Sequence, residues 1–416
     1  MRSRTPLTHP LPQYRPRIDQ AEQPAKECNH QLSTTWGVTL RSRFVLSPLS
    51  RRRFFAASVA GVTLRSFSPG GGTSVQPHDT DLPGPETAPR KVIIDTDPGV
   101  DDALALLFAM RSPELKIEAI TAVAGNVPLD LTVSNALRMV EIAGRTDIPV
   151  AAGARAPLRR RLVTATSHGM NGLGGIEFPA PEIKPVNEPA TDAIERIVSR
   201  SPGEVSIIAV GPLTNVATAL QAYPWLAKQI REIVLMGGSL SGGNMTPAAE
   251  FNIYVDPEGA SVVFRSGVRV TMVGLDVTRK CILRDNHVRA LEAGSDPLSH
   301  AAARITGNDL ERWRQADQTG SPGRAMHDPL AVATFIDRGV VRLREYFVAV
   351  ETQGELTAGE TVGYSEVPLR QSAPLKDLST LSEAASATFV PITRVAVEVD
   401  PARFFKMFIA RLAGRA

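Results

Sequence analysis

From residue 91 onward, short apolar runs alternate with longer stretches whose apolar positions fall on one helical face. The runs at 92–94, 117–123, 205–210, 232–236, 268–274, 346–350 and 393–399 are of strand length and rich in β-branched residues. Between them, 131–143, 190–200, 214–222 and 284–294 have helical composition. Parallel neighbours cannot be joined by a hairpin, so strands that alternate with helices call for crossovers that cover both faces of a sheet. The pattern predicts an α/β fold with a doubly wound, mostly parallel central sheet. No linker-like composition divides residues 91–416, which read as one domain.

The first strand carries the densest chemistry. Val92, Ile93 and Ile94 lead into Asp95-Thr-Asp97-Pro-Gly-Val-Asp101-Asp102, and residues 102–110 are helix-forming. The acids therefore occupy a strand-to-helix turn shaped by Pro98 and Gly99. Asp101 and Asp102 fall in the first helical turn, where the macrodipole favours negative charge. A helix cap uses one or two acids; a cluster of this density repels itself unless a cation or a shared proton compensates. Oxygen-only ligands point to calcium or magnesium rather than zinc.

Other predicted strands end in polar loops. Strand 117–123 runs into Gly125-Asn126, strand 205–210 into Gly211-Pro-Leu-Thr-Asn215, and strand 232–236 into Met236-Gly-Gly, followed by Asn244, Glu250, Phe251 and Asn252. In a parallel sheet these ends share one edge, the edge at which open α/β sheets bind ligands. Together they offer a donor and acceptor set suited to a polyhydroxylated ligand. Asp328, followed by Pro329, fits the N-cap of the helix-like run 330–336; it is also a candidate metal ligand, with His327 as a proton donor. His168 opens a glycine-rich loop, His168-Gly-Met-Asn-Gly-Leu-Gly174, that reads as mobile and able to close over a substrate.

Taken in order, these blocks, with Val234-Leu-Met236-Gly-Gly and Val273-Gly-Leu-Asp-Val-Thr278, resemble the inosine-uridine preferring nucleoside hydrolase family from about Lys91 to Leu412. The resemblance implies that family's Rossmann-like fold and hydrolysis of ribonucleosides to free base and ribose. It implies calcium (Ca2+) held by Asp97, Asp102, the backbone carbonyl of Val210, and Asp328, its remaining positions taken by a water and two ribose hydroxyls. Asp97 would be the general base. Asp101, Asn126 and Asn252 would bind the 2′- and 3′-hydroxyls, Asn244 and Glu250 the 5′-hydroxyl, and Met236 and Phe251 would pack near the sugar. His327 would face the leaving base, with His168 a second base-side candidate. The partner implied is a small nucleoside, on a homodimer or homotetramer, with no nucleic acid and no stable membrane association.

The chemistry is self-consistent. Cleaving an N-ribosidic bond develops positive charge at the anomeric carbon and ring oxygen, which nearby carboxylates stabilise, while the departing base needs a proton or another means of neutralisation. Residues 311–324 contain no tyrosine to place by the base; Trp313 or Gln315 can stand there, and Arg324 reads as a surface residue. Purine or pyrimidine preference stays open. Two other readings compete. A phosphatase of the haloacid dehalogenase type also starts with a strand and Asp95-Thr-Asp97, but leaves the later Asn and His-Asp blocks without a task. An exported nucleoside- or sugar-binding protein without catalysis would share the fold; calcium-dependent ribose release separates it from an enzyme.

Charge changes the picture at the N-terminus. Formal net charge is +3, yet residues 1–90 hold 12 Lys/Arg against 6 Asp/Glu, leaving 34 against 37 in residues 91–416, a net of −3. The basic character belongs to the leader, so it does not argue for nucleic acid as a partner. Ser50-Arg51-Arg52-Arg53-Phe54-Phe55-Ala56, followed by the mildly apolar 57–64, resembles a twin-arginine export signal too short to span a bilayer. Residues 1–65 thus read as a leader and 66–90 as a flexible Pro/Gly-rich tether, giving a periplasmic or extracellular protein, or a cytoplasmic one if the signal is not used. Cys28 and Cys281 are the only cysteines, so processing would leave Cys281 without a disulfide partner. No methionine lies between Met1 and Met110, and some fifty residues precede the paired arginines, which places the natural start near Val45. N-terminal sequencing of the native protein is expected to find nothing upstream of Val45; an upstream residue would refute that start.

Overall fold

The computed structural model describes residues 88–316, 323–364 and 393–415; the expected leader and nearly all of the tether lie outside them. A nine-stranded sheet organises these residues. Its parallel part contains β1 (Arg90–Thr96), β2 (Leu115–Ala122), β3 (Val150–Ala152), β4 (Ser206–Ala209), β5 (Ile233–Met236) and β6 (Val270–Val273). β9 (Val341–Val350), β10 (Thr361–Tyr364) and β11 (Thr393–Val399) complete the order β10-β9-β11-β6-β5-β4-β1-β2-β3. β11 is parallel to β6, whereas β9 runs antiparallel to β11 and to β10. β7 (Ile282–Leu283) and β8 (Arg324–Ala325) form a separate two-stranded sheet.

The chain leaves β1 to build β2 and β3 on one side and returns to build β4 on the other, so the carboxyl end of β1 is the topological switch point. Alternate residues of β1 enter different cores. Val92 and Ile94 pack with α1 (Val100–Met110), α2 (Leu129–Ile142), α9 (Pro297–Ala316) and α10 (Asp328–Ile336). Ile93 packs instead with α3 (Ala190–Arg200), α4 (Thr214–Ala222) and α6 (Pro257–Phe264). Burial on both faces explains the unbroken apolar run.

All seven predicted strands and the four predicted helices are present; 190–200, 214–222 and 393–399 keep their predicted ends and the others are shifted. β9 starts at Val341 rather than 346 because Arg342, Arg344 and Glu345 interrupt its apolar run. β3 has three residues, too few for a periodic signal. The C-terminal helix Pro401–Leu412 was not anticipated; it buries Phe404 and Phe408, the latter edge-on to Phe108 of α1 at 5.5 Å between centroids. Among the described residues no helix is long and apolar enough to cross a membrane.

Beneath the switch point, Asp95 is fully buried and accepts from Thr121 Oγ1 at 2.6 Å and Asn215 Nδ2 at 2.8 Å. Asn215 also donates to the Ala122 carbonyl at 3.1 Å and accepts from Ala154 N at 2.8 Å, so one amide ties β1, β2 and the loop after β3 together. Asn215→Ala strips these buried groups of partners and is expected to lower unfolding free energy by about 2–3 kcal/mol, measured by urea denaturation; an unchanged midpoint would show that the bonds contribute nothing net.

Candidate active site

Four carboxylates converge above that support. Asp97 follows the last residue of β1 and is fully buried; its Oδ2 accepts from Asn126 N at 2.6 Å, and its Oδ1 has no partner. Two glycines make room for it. A Cβ on Gly125 would stand 2.1 Å from Asp97 Oδ2, and one on Gly211 2.6 Å from Oδ1. Asp102 closes the first turn of α1: Oδ1 accepts from Thr96 Oγ1 at 2.6 Å and Asp97 N at 3.2 Å, Oδ2 from Gly99 N at 3.0 Å and Asn126 Nδ2 at 2.9 Å.

Asp328 was expected to cap its helix and does not. His327 takes the N-cap position without a side-chain cap bond, and the buried Asp328 occupies the first helical position. Its carboxylate turns inward, where one oxygen each from Asp101, Asp102 and Asp328 lie within 4.8 Å of one another. The expected ligand set had Asp97 in the place that Asp101 holds in this trio. Asp97 adjoins it, with its backbone N bonded to Asp102.

Burial, then the charges of Asp102 and Asp101, push Asp97 well above the usual carboxylate range. Burial followed by Asp101, Asp102 and Asp97 does the same to Asp328, and burial with Asp101 lifts Asp102 to about 6. Asp101 behaves differently: burial acts upward, but His168, His327 and Arg324 outweigh it and its pKa falls. A buried all-oxygen cluster in which burial and neighbouring charge raise the pKa of Asp97, Asp102 and Asp328, with the Asp97 Oδ1 atom left without a partner, fits a hard divalent cation.

The remaining sugar-side candidates gather at the ends of β4 and β5. Asn252, in α5 (Phe251–Val255), donates from Nδ2 to the carbonyls of Val210 at 2.9 Å and Met236 at 3.2 Å, so the Val210 oxygen already has one donor. The buried Met236 places Sδ 3.6 Å from the same amide. Glu250 caps α5, its Oε2 accepting from Ile253 N at 3.1 Å and Gly238 N at 3.0 Å; burial lifts it to about 7. Phe251 is half-buried, and Asn244 lies at the exposed rim, accepting from Phe251 N at 2.9 Å.

On the opposite side, His327 Nδ1 lies 2.8 Å from Thr278 Oγ1, and burial depresses the imidazole to about 4. The His168 loop is docked rather than open. His168 is buried, with Nδ1 accepting from Val100 N at 3.0 Å and lying 3.9 Å from Asp101. The loop's backbone finds partners on two helices: Asn135 of α2 donates to the Asn171 carbonyl at 2.9 Å, and Asn308 of α9 to that of Gly174 at 2.9 Å.

Arg324 is not a surface residue. It is 16% exposed, and its Nε donates to Asp309 Oδ2 at 3.0 Å. Trp313 packs against the core beneath it, and Gln315 is exposed, bonded to Glu311. Thr278 and Asp309 were not singled out for these contacts, because each partner lies in another element.

Residues 92–406 match the sequence profile described as inosine-uridine preferring nucleoside hydrolase. The chain is 44% identical over 272 residues, 65% of its own length and 87% of the relative's, to a pyrimidine-specific ribonucleoside hydrolase, RihA, of Salmonella arizonae. Among solved structures, it resembles a plant nucleoside hydrolase, PpNRh1, with TM-score 0.71 and 33% identity over 78% of this chain and 99% of that one. A purine-preferring ribonucleoside hydrolase from Gardnerella vaginalis gives TM-score 0.69 and 32% identity at the same coverage. With the profile spanning most of the chain and the acid-rich switch point in place, this protein belongs to the inosine-uridine preferring nucleoside hydrolase family and is a nucleoside hydrolase.

Proposed function

We propose that the protein hydrolyses the N-glycosidic bond of ribonucleosides to free base and ribose in a calcium-dependent reaction. The observation that carries this reading is the convergence of buried Asp97, Asp101, Asp102 and Asp328 at the switch point beside Asn126 and Asn252. Asp97, Asp102, Asp328 and the Val210 carbonyl would hold the cation. When bound, calcium neutralises the mutual repulsion of the acids, acidifies a water and grips two ribose hydroxyls.

The chain's own groups do the rest. Asp97, with Oδ1 uncommitted, takes the proton of the attacking water. Asp101, Asn126 and Asn252 orient the 2′- and 3′-hydroxyls, and Asn244 and Glu250 the 5′-hydroxyl, so that the ring oxygen and anomeric carbon develop positive charge beside buried carboxylates. Met236 and Phe251 exclude water around the sugar. His327, held by Thr278 through Nδ1, and His168, whose Nδ1 is already engaged, each keep Nε2 for the leaving base. The relatives' names point to opposite base preferences, so the substrate class proposed is the ribonucleoside, without choice of base. The twin-arginine-like leader supports export, with extracytoplasmic nucleosides as substrate, and the family resemblance supports a homodimer or homotetramer.

Ribose release from inosine and uridine is expected to stop when divalent cations are chelated and to return with calcium; turnover insensitive to chelation would overturn the calcium dependence. Asp97→Asn is expected to lower kcat by about 10²–10⁴-fold with unchanged far-UV circular dichroism. A wild-type rate in that variant would exclude Asp97 as the base.

A further inference from the structure

Arg324 stands three residues before His327 on β8, its backbone paired with Leu283. Its side chain is fixed from two directions: Nε donates to Asp309 Oδ2, and the guanidinium lies 5.5 Å from the Trp313 ring centroid. Neither Nη1 nor Nη2 has a hydrogen-bond partner among the described residues. The strand carries it three residues ahead of His327, and Asp309 with the adjoining Asn308 ties it to the His168 loop, so it is linked by geometry to both base-side histidines. Asp309, which holds it, is 5% exposed and adjoins Asn308, the residue that pins the His168 loop to α9.

A largely buried ion pair is a weak source of stability, because desolvation offsets most of its Coulombic gain. A pair that engages one of an arginine's five N–H donors and leaves the four on Nη1 and Nη2 without a partner among the described residues is poorer still as structural support. It suits a group held ready for a ligand's acceptor atoms.

We infer that Arg324 is a leaving-group residue of this enzyme, its Nη groups donating to acceptor atoms of the departing base and stabilising the negative charge that base gains. The inference rests on the hydrolase reading above. As the C1′–N bond breaks, its electron pair goes to the base nitrogen; the water oxygen bonds C1′, one water proton goes to Asp97 and the other stays on the new hydroxyl, and the base anion takes up a proton from solvent, balancing the one Asp97 later releases. Arginine stays protonated throughout, so Arg324 contributes charge and direction, not that proton. The bases served are those with a carbonyl oxygen or imine nitrogen conjugated to the glycosidic nitrogen, onto which the charge spreads.

Steady-state kinetics of Arg324→Met and Arg324→Lys on the better of uridine and inosine, and on p-nitrophenyl riboside, whose leaving group departs unaided, test this. Arg324→Met is expected to lose about 10–100-fold in kcat on the nucleoside and to stay within about twofold of wild type on the nitrophenyl riboside. Arg324→Lys is expected to recover part of the loss. Equal losses on both substrates, or none on either, would overturn the inference. Wild-type protein that releases ribose from neither substrate would instead defeat the hydrolase reading. Should Arg324→Met not fold, Arg324→Gln, which keeps a donor for Asp309, serves the same comparison.

Discussion

The crowding of negative charge at the carboxyl end of β1 is the constraint around which the molecule is arranged. Asp97, Asp102 and Asp328 are buried beside Asp101, and burial together with neighbouring carboxylate charge raises the pKa of each, so the acids by themselves resist full ionisation. Only a rigid surround can keep such groups in place. Asp102 is held by four donors, two of them backbone N–H groups of its own turn, and Asp97 by the N–H of Asn126. The carboxylate that supports the turn is a separate one: Asp95 points down to Thr121 and Asn215 rather than toward the cluster.

Position in the sheet explains why this turn can bear the load. β1 is paired on both sides, with β2 and β4, and its apolar residues enter a core on each face. Four further sheet ends or loops meet at the same edge, so residues as distant as Asn126, Val210, Asn252 and Asp328 are brought together by the parallel topology. The glycines at 125 and 211 let two of those loops approach Asp97 more closely than a Cβ allows.

What was legible in the sequence follows the range of the signals. The parallel strands show as apolar runs because they are buried on both faces, and the acids show because four of them share eight residues. β3 and the early half of β9 did not show, one being too short and the other being half-exposed with charged residues. In the site, residue types were readable but contacts were not. Asp328 satisfies every local rule for an N-cap, yet it takes the first helical position and its carboxylate lies with those of Asp101 and Asp102, a placement set by tertiary contacts that local spacing does not show. Arg324 and Thr278 find partners 15 and 49 residues away, a distance at which no spacing rule operates. The glycine-rich loop shows the same limit: its composition marks a loop, but the Asn135 and Asn308 donors that dock its backbone lie in other elements.

The two halves of the site are built from different parts of the fold. The sugar half rests on ends of central strands and on helices anchored in the main cores, where a displaced residue disturbs the sheet itself. The base half draws on α9, the His168 loop and the small β7–β8 sheet, which is not bonded into the central one. His327 joins them, since it precedes Asp328 directly and is held by Thr278 at the end of the helix that follows β6. The two parts meet at Asp101, which lies 3.9 Å from His168; burial acts upward on its pKa, and the charges of His168, His327 and Arg324 outweigh it and lower that pKa. Substitutions at Arg324 therefore reach the carboxylate cluster through charge, whereas those at Asn126 or Gly211 reach it through contact with Asp97. The difference originates in sheet topology, which sets Asn126 and Gly211 on loops beside the end of β1 and Arg324 on the separate two-stranded sheet.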